Sequence, residues 1–131
     1  MKKLTQNSSP EFDRIVYSVV GRLRQQGVTS IKANCSGFVQ PGVIRWDEND
    51  EGIVPDIVAE HDGATHVFEI ETRGNLDPNT VEDRWRLLSV FARRSKGKFY
   101  LIIPEQKEDH LQRIVNDLSL RPEILKLQGI A

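Results

Sequence analysis

The chain has 131 residues, which fits one domain of common size, and its 38% of hydrophobic and 28% of charged residues exclude a wholly disordered chain. Its formal net charge of -1 at pH 7 excludes no class of partner by itself, but it gives no support to general nucleic-acid binding through overall charge. One cysteine, Cys35, excludes an internal disulfide, and because no apolar run approaches the roughly 18 residues of a membrane span, we expect a cytoplasmic protein without a membrane partner.

The first predicted element is a helix that begins at Pro10. Residues 1–9 are mostly polar and are predicted to form a loose segment, and residues 10–131 are predicted to form a single domain. Ser9 suits the N-cap position, proline suits the first helical position, and Gly27 suits the helix end. Apolar residues recur at spacings of three and four between these limits, which predicts one buried helix face.

Three strands are predicted next, over residues 28–33, 54–60 and 65–72. An Asp-Gly pair between the last two is typical of a tight hairpin turn. The segment 35–52 is rich in glycine and ends in an acidic turn. We interpret this segment as a long hairpin, with residues 43–46 as a short extra strand.

Four more elements complete the chain. A second helix begins at residue 79 or 80 and runs to about residue 95. The continuous apolar run 99–104 predicts a buried strand, which is followed by a third helix over 105–118. Residues 123–130 alternate and predict a last strand. Pairing of this strand within the chain and pairing at a dimer edge both remain open, so a homodimer is one candidate assembly.

The resulting order of helices and strands is α-β-β-β-α-β-α-β. The three early strands can pair through hairpins, whereas the strand at 99–104 follows a helix and should pair in parallel through a crossover. This predicts an α/β domain with a central mixed sheet and helices on both faces, a three-layer α/β/α arrangement.

Three carboxylates stand on the second and third predicted strands. Because strand side chains alternate, Glu69 and Glu71 share one side of their strand. If the two strands form an antiparallel hairpin, Asp56 can face the same side. Three converging carboxylates suit a hard divalent cation such as Mg²⁺ or Mn²⁺, and the backbone carbonyl of Ile70 is placed to add a ligand.

The motif and its setting resemble a known family. Pro55-Asp56, then twelve residues, then Glu69-Ile70-Glu71 lie on two successive strands, with a helix before them and a helix and the strand "FYLIIP" after them. Over roughly residues 10–104 this resembles the PD-(D/E)xK nuclease superfamily, which has the restriction-endonuclease-like fold. The resemblance implies that Asp56 and Glu69 bind Mg²⁺ or Mn²⁺, and that Glu71 completes the catalytic set.

The chain departs from the family pattern at Glu71, which stands where the motif has a lysine. A glutamate there can hold a second metal or act as a general base, but it supplies no positive charge. Some family members carry the lysine on a neighbouring element, which makes Lys32 and Lys98 candidates. Glu11 on the first helix is a candidate outer carboxylate, by the same resemblance.

Charge is segregated along the chain. Residues 47–71 contain nine acids and no Lys or Arg, whereas residues 72–98 contain seven bases and three acids. On the second predicted helix, Arg86 and Arg93 share a face and Arg94 is adjacent. These arginines are candidates for phosphate contacts with DNA, and the alternative is an ordinary solvated helix surface.

Two functions from different classes follow. The first is a divalent-metal-dependent nuclease that hydrolyses phosphodiester bonds in DNA. The alternative is a catalytically inactive module on the same fold that binds nucleic acid or protein, which the missing lysine favours. The sequence leaves open whether the chain is an enzyme.

Overall fold

The computed structural model describes residues 9–71, 78–103, 108–117 and 123–126. Apart from Ser9, the predicted loose segment 1–9 lies outside these residues. The helices and strands are α1 (Pro10–Gln25), β1 (Ser30–Ala33), β2 (Ile57–His61), β3 (Ala64–Ile70), α2 (Pro78–Arg94), β4 (Phe99–Ile103), α3 (Glu108–Asp117) and β5 (Glu123–Lys126). None of the helices in the described part of the chain has the apolar length that a bilayer crossing requires.

The five strands form one mixed sheet in the order β1-β2-β3-β4-β5. β1 pairs antiparallel with β2, and β2 pairs antiparallel with β3. β4 pairs parallel to β3 through the α2 crossover, and β5 pairs parallel to β4 through α3. The predicted α/β class and mixed sheet are confirmed. The last strand pairs within the chain, and the homodimer stays a prediction.

α1 begins where the sequence predicts because its first turn is capped. The Ser9 hydroxyl oxygen accepts a hydrogen bond from the backbone N–H of Phe12 at 3.0 Å. The helix ends at Gln25, and Gly27 follows with a φ of +92°, a left-handed conformation that glycine adopts without strain.

Two buried clusters lie on opposite faces of the sheet. Consecutive residues Val67 and Phe68 belong to different clusters, as alternation along β3 requires. The face with Val67 packs against α2, and we call it the α2 face. The face with Phe68 packs against α1, and we call it the α1 face. The α2-face cluster contains Val67, Val81, Trp85, Leu88, Ala92, Phe99, Leu101, Ile103 and Val115, and the α1-face cluster contains Phe12, Val16, Val19, Val20, Ala33, Ile57, Ala59, Phe68, Ile70 and Ile102.

The structure differs from the sequence-based expectation between residues 34 and 56. The predicted strand at 43–46 is a single bridge, in which Ile44 and Ile53 exchange two backbone hydrogen bonds. The chain cannot extend this pairing at Gly52, which has a φ of +79°. The strand predicted to begin at residue 54 begins instead at Ile57, since Pro55 has no N–H to donate to a ladder. Asp56 therefore lies just before β2.

One glycine is required by packing. A Cβ on Gly97 would overlap the backbone carbonyl of Thr65, whereas a Cβ on Gly21 in α1 would meet nothing within 4 Å. We therefore expect Gly97→Ala to lower the free energy of unfolding by about 2 kcal/mol or more, because backbone must shift. Gly21→Ala should raise it by up to about 1 kcal/mol, because alanine favours a helix. Urea unfolding of both variants measures the difference, and equal midpoints would contradict the close approach at Gly97.

Candidate functional site

Asp56, Glu69 and Glu71 lie together at one end of the β2–β3 hairpin. Ile57 pairs with Phe68, so Asp56 stands opposite Glu69, one position beyond the last pair of the hairpin. Alternation from Val67 places Glu69 and Glu71 on the α2 face. The three residues are only 5%, 5% and 4% exposed. The predicted convergence of acids on one face is thus a buried cluster beneath α2.

Two backbone hydrogen bonds hold Asp56 and Glu69 in place. The N–H of Asp56 donates to Glu69 Oε2 at 3.0 Å, and the N–H of Ile70 donates to Asp56 Oδ2 at 2.8 Å. Each carboxyl therefore binds the backbone of the opposite segment. This exchange continues the β2–β3 pairing past the point where the backbone ladder ends.

A third partner is Arg84 of α2, whose guanidinium contacts Glu69 with two nitrogens. Its Nε lies 2.6 Å from Glu69 Oε1, and its Nη2 lies 3.2 Å from Glu69 Oε2. The same Nη2 donates to the carbonyl oxygen of Val54 at 3.2 Å. The Arg84 side chain is 28% exposed and that of Glu69 is 6% exposed. Arg84 therefore closes the acidic cluster from the solvent side.

The electrostatics of the cluster follow from this burial. Burial and the neighbouring Glu69 charge raise the pKa of Asp56 well above its ordinary value of 3.8, against the opposing effects of the Ile70 N–H and Arg84. Burial alone would disfavour the charge of Arg84, but Glu69, and after it Asp56 and Glu71, outweigh that cost and raise the pKa of Arg84. The arrangement favours one firm ion pair, between Arg84 and Glu69, beside an Asp56 that tends toward its neutral form.

The donor set in this arrangement does not fit a divalent metal ion. Both Glu69 oxygens bind Arg84, and one of them also binds the Asp56 N–H. Asp56 Oδ2 binds the N–H of Ile70, whose carbonyl was the predicted backbone ligand. Among the described residues, no three His, Cys, Asp or Glu side chains form a group that could hold a metal. The predicted side-chain ligands Asp56 and Glu69 are thus brought together, but both oxygens of Glu69 and one oxygen of Asp56 are engaged by protein donors.

Arg84 is not among the site residues predicted from the sequence, although its position on α2 carries a signal. Arg84 lies three residues after Val81 and four before Leu88, two members of the buried stripe of α2. Positions at these spacings share a helix face, so Arg84 must lie at the edge of the buried stripe. An arginine there, on the crossover between β3 and β4, is aimed at the sheet rather than at solvent.

The candidate lysines and the accessory acid lie elsewhere. Lys32 is exposed on the α2 face in the row of Val67, two strands away from β3. Lys98 precedes β4, and its N–H donates to His66 Nδ1, about 10 Å before Glu69 at the usual rise per strand residue. Glu11 is exposed on α1, which packs on the opposite face of the sheet.

The three arginines that the sequence suggests for DNA contact fall into two groups. Arg86 Nη2 lies 2.8 Å from Glu82 Oε2, one helical turn earlier, in a half-exposed ion pair. Arg93 and Arg94 are exposed in the last turn of α2. They lie nine and ten residues after Arg84, which is about 14 Å further along the helix axis.

Comparison with protein-family models and with curated proteins gives no match for this chain.

We predict that the Arg84–Glu69 pair stabilises the fold strongly and that the Arg86–Glu82 pair does not. Arg84→Met leaves a buried carboxylate without its partner and should lower the free energy of unfolding by about 3 kcal/mol. Arg86→Met, on the same helix with a partner about 40% exposed, should cost less than about 0.5 kcal/mol. Urea unfolding, with Glu69→Gln completing a double-mutant cycle, measures the coupling. Similar losses for the two arginines would contradict the structure.

Asp56→Asn should flatten the pH dependence of stability. The folded protein holds the Asp56 proton more tightly than the unfolded chain, so the free energy of unfolding falls as pH rises above 3.8 and through the raised pKa. Asparagine has no such charge, and its carbonyl oxygen can still accept the Ile70 N–H. We expect the wild type to lose more stability than the variant between about pH 4 and about pH 8. Parallel profiles in chemical unfolding would contradict this.

Proposed function

We propose that this chain is a nucleic-acid-binding domain on a nuclease-like, three-layer α/β/α fold that does not hydrolyse its ligand. The observation that carries the proposal is the two-nitrogen contact of Arg84 with Glu69. A guanidinium stands where the resemblance to PD-(D/E)xK nucleases implies a divalent cation.

The guanidinium of Arg84 competes strongly with a divalent cation for the Glu69 carboxylate. It is charged at every accessible pH, and its pKa is raised further by the acids around it. A cation that took both Glu69 oxygens would have to displace the two hydrogen bonds that Arg84 donates to them. It would also leave a guanidinium without its partner beside the sheet, which is costly. These costs support a structural role for the ion pair.

The charge of α2 supports nucleic acid as the ligand. Arg93, Arg94 and Lys96 are exposed within four consecutive positions at the end of the helix. Exposed cations in such a cluster attract phosphates and make binding sensitive to salt. Arg86 contributes less, because Glu82 neutralises it.

A second candidate is the metal-dependent DNA nuclease, and one observation favours it. Asp56, Glu69 and Glu71 are three carboxyls buried in one patch, and Arg84 reaches them from its partly exposed side. Arg84 could then swing out without opening the core. In that case it would supply the positive charge that the family lysine supplies.

Metal binding and cleavage by wild type and Arg84→Met separate the two candidates. If the Arg84 guanidinium occupies the position of the divalent cation, the wild type should not cleave DNA in Mg²⁺ or Mn²⁺. Calorimetry should then detect no binding of Mn²⁺ to the wild type. Arg84→Met should then bind Mn²⁺ at least about tenfold more tightly, since both oxygens of the Glu69 carboxyl lose their guanidinium donors. Arg86→Met is the matched control and should behave as wild type.

Cleavage by the wild type that Asp56→Asn abolishes would overturn the proposal in favour of the nuclease. The folded state of each variant is verified by circular dichroism. If the wild type causes no salt-sensitive gel shift of DNA or RNA, the proposed nucleic-acid binding is wrong.

A further inference from the structure

A second feature of the α2 face is a cavity of about 190 Å³ near the start of β3. Its floor is formed by three neighbouring strands. Ser30, Glu60 and Thr65 form one row across β1, β2 and β3, and Lys32 and Val58 belong to the next row. Thr65 is four residues before Glu69, so the cavity lies about 13 Å along β3 from the acidic cluster.

The walls of the cavity are held in place by the fold. On one side stands the segment 41–44, which the double hydrogen bond between Ile44 and Ile53 fixes against the sheet. On the other side stands Phe91 of α2, which is partly buried against the α2-face cluster. The cavity therefore exists before any ligand arrives.

The size of the cavity favours one flat ring system. A protein cavity of about 150 Å³ holds a benzene molecule, and drug-sized ligands need about 300 Å³ or more. A volume of 190 Å³ lies between these limits. With Phe91 on the wall, an aromatic ring can stack or pack edge-on against a phenyl ring.

The polar groups favour a ring that has both donors and acceptors on one edge. The Glu60 carboxylate accepts hydrogen bonds, the Lys32 ammonium donates them, and the hydroxyls of Ser30 and Thr65 do both. Lys32 and Glu60 are diagonal neighbours on paired strands, so their side chains reach the same space. Guanine presents N–H donors at N1 and N2 directly beside the acceptor O6, and carboxylate and ammonium groups match that edge.

Positive charge adjoins the cavity on the side of α2. Arg94 is exposed one turn after Phe91 and on the same side of the helix. The backbone N–H of Thr65 donates to the carbonyl of Ser95, which ties the end of the helix to the strand that lines the cavity. The basic end of α2, with Arg94 and Lys96, is therefore attached to a strand that lines the cavity.

We propose that this cavity binds a nucleobase of a single-stranded nucleic acid, with guanine preferred. The base stacks on Phe91, Glu60 accepts from its amino and ring N–H groups, and Lys32 donates to its carbonyl oxygen. The inference rests on the proposed nucleic-acid binding, and it gives that binding a site and a base preference. It does not depend on whether the acidic cluster hydrolyses anything.

The test measures binding of fluorescently labelled single strands of about eight nucleotides, all-thymidine or with one central guanine, in EDTA at low salt. EDTA removes divalent cations, so cleavage cannot interfere. A parallel titration with guanosine monophosphate, followed by NMR, distinguishes a free nucleotide from a strand as the source of the base. We expect the guanine strand to bind at least about fivefold more tightly than the all-thymidine strand.

Single variants then locate the site. Glu60→Gln should abolish the preference for guanine, so that the guanine strand and the all-thymidine strand bind with affinities within about twofold of each other. Phe91→Leu should weaken both strands about tenfold, through loss of stacking. The matched controls are Glu48→Gln, an exposed acid of the 47–51 turn, and Phe38→Leu, a half-buried phenylalanine on the α1 face.

The outcomes test the base-binding cavity separately from nucleic-acid binding by the protein as a whole. Equal binding of the two strands, or effects of Glu60→Gln and Phe91→Leu no larger than those of their controls, would overturn the cavity while nucleic-acid binding stands. Absence of binding to either strand and to the nucleotide overturns both. Because Phe91→Leu can loosen the core, its melting temperature is compared with that of Phe38→Leu, and Glu60→Gln, at an exposed site, carries the decision if Phe91→Leu unfolds.

Discussion

The ion pair between Arg84 and Glu69 connects three separate parts of the chain at the buried acidic cluster. Glu69 belongs to β3, Arg84 to α2, and the Val54 carbonyl that Arg84 also binds belongs to the segment before β2. Burial of three acids on one sheet face requires a positive charge nearby, because a carboxylate taken out of water without a partner is expensive. The position of α2 over the sheet and the burial of the acids therefore depend on each other.

This constraint also limits what the acids can do. The Glu69 carboxylate, which binds one backbone N–H and two guanidinium nitrogens, would have to give up hydrogen bonds to bind a metal ion. Glu71 replaces the lysine of the family motif, and Glu69 is hydrogen-bonded to Arg84 and to the backbone. Both observations favour a structural role for the acidic cluster. Glu71, with 4% exposure, adds a further negative charge that Arg84 helps to offset.

One end of the α2 face holds the acidic cluster, in which Glu69 is paired with Arg84, and the other end holds the open cavity. The helix α2 packs over both. Arg84 in the first half of α2 closes the acidic end, whereas Phe91 in the second half lines the cavity. The hairpin of β2 and β3 provides the floor for both, since its register places Thr65, Val67 and Glu69 on one face.

The sequence by itself determined the elements with strong local signals. Ser9 and Pro10 begin α1, the Asp-Gly turn joins β2 to β3, and the apolar run from Phe99 gives a strand that the sheet buries. Alternation alone also placed Glu69 and Glu71 on one face, because that property needs only the period of a strand.

Only the tertiary structure decided the partner of those acids. Glu69 and Arg84 are 15 residues apart and meet because the crossover lays α2 on the sheet, at an angle and a depth that sequence periodicity does not specify. The cavity likewise exists only because the segment 41–44 folds back onto the sheet through one bridge. Long-range contacts of this kind arise from how the faces pack, and each element's own pattern records which face is buried but not what is buried against it.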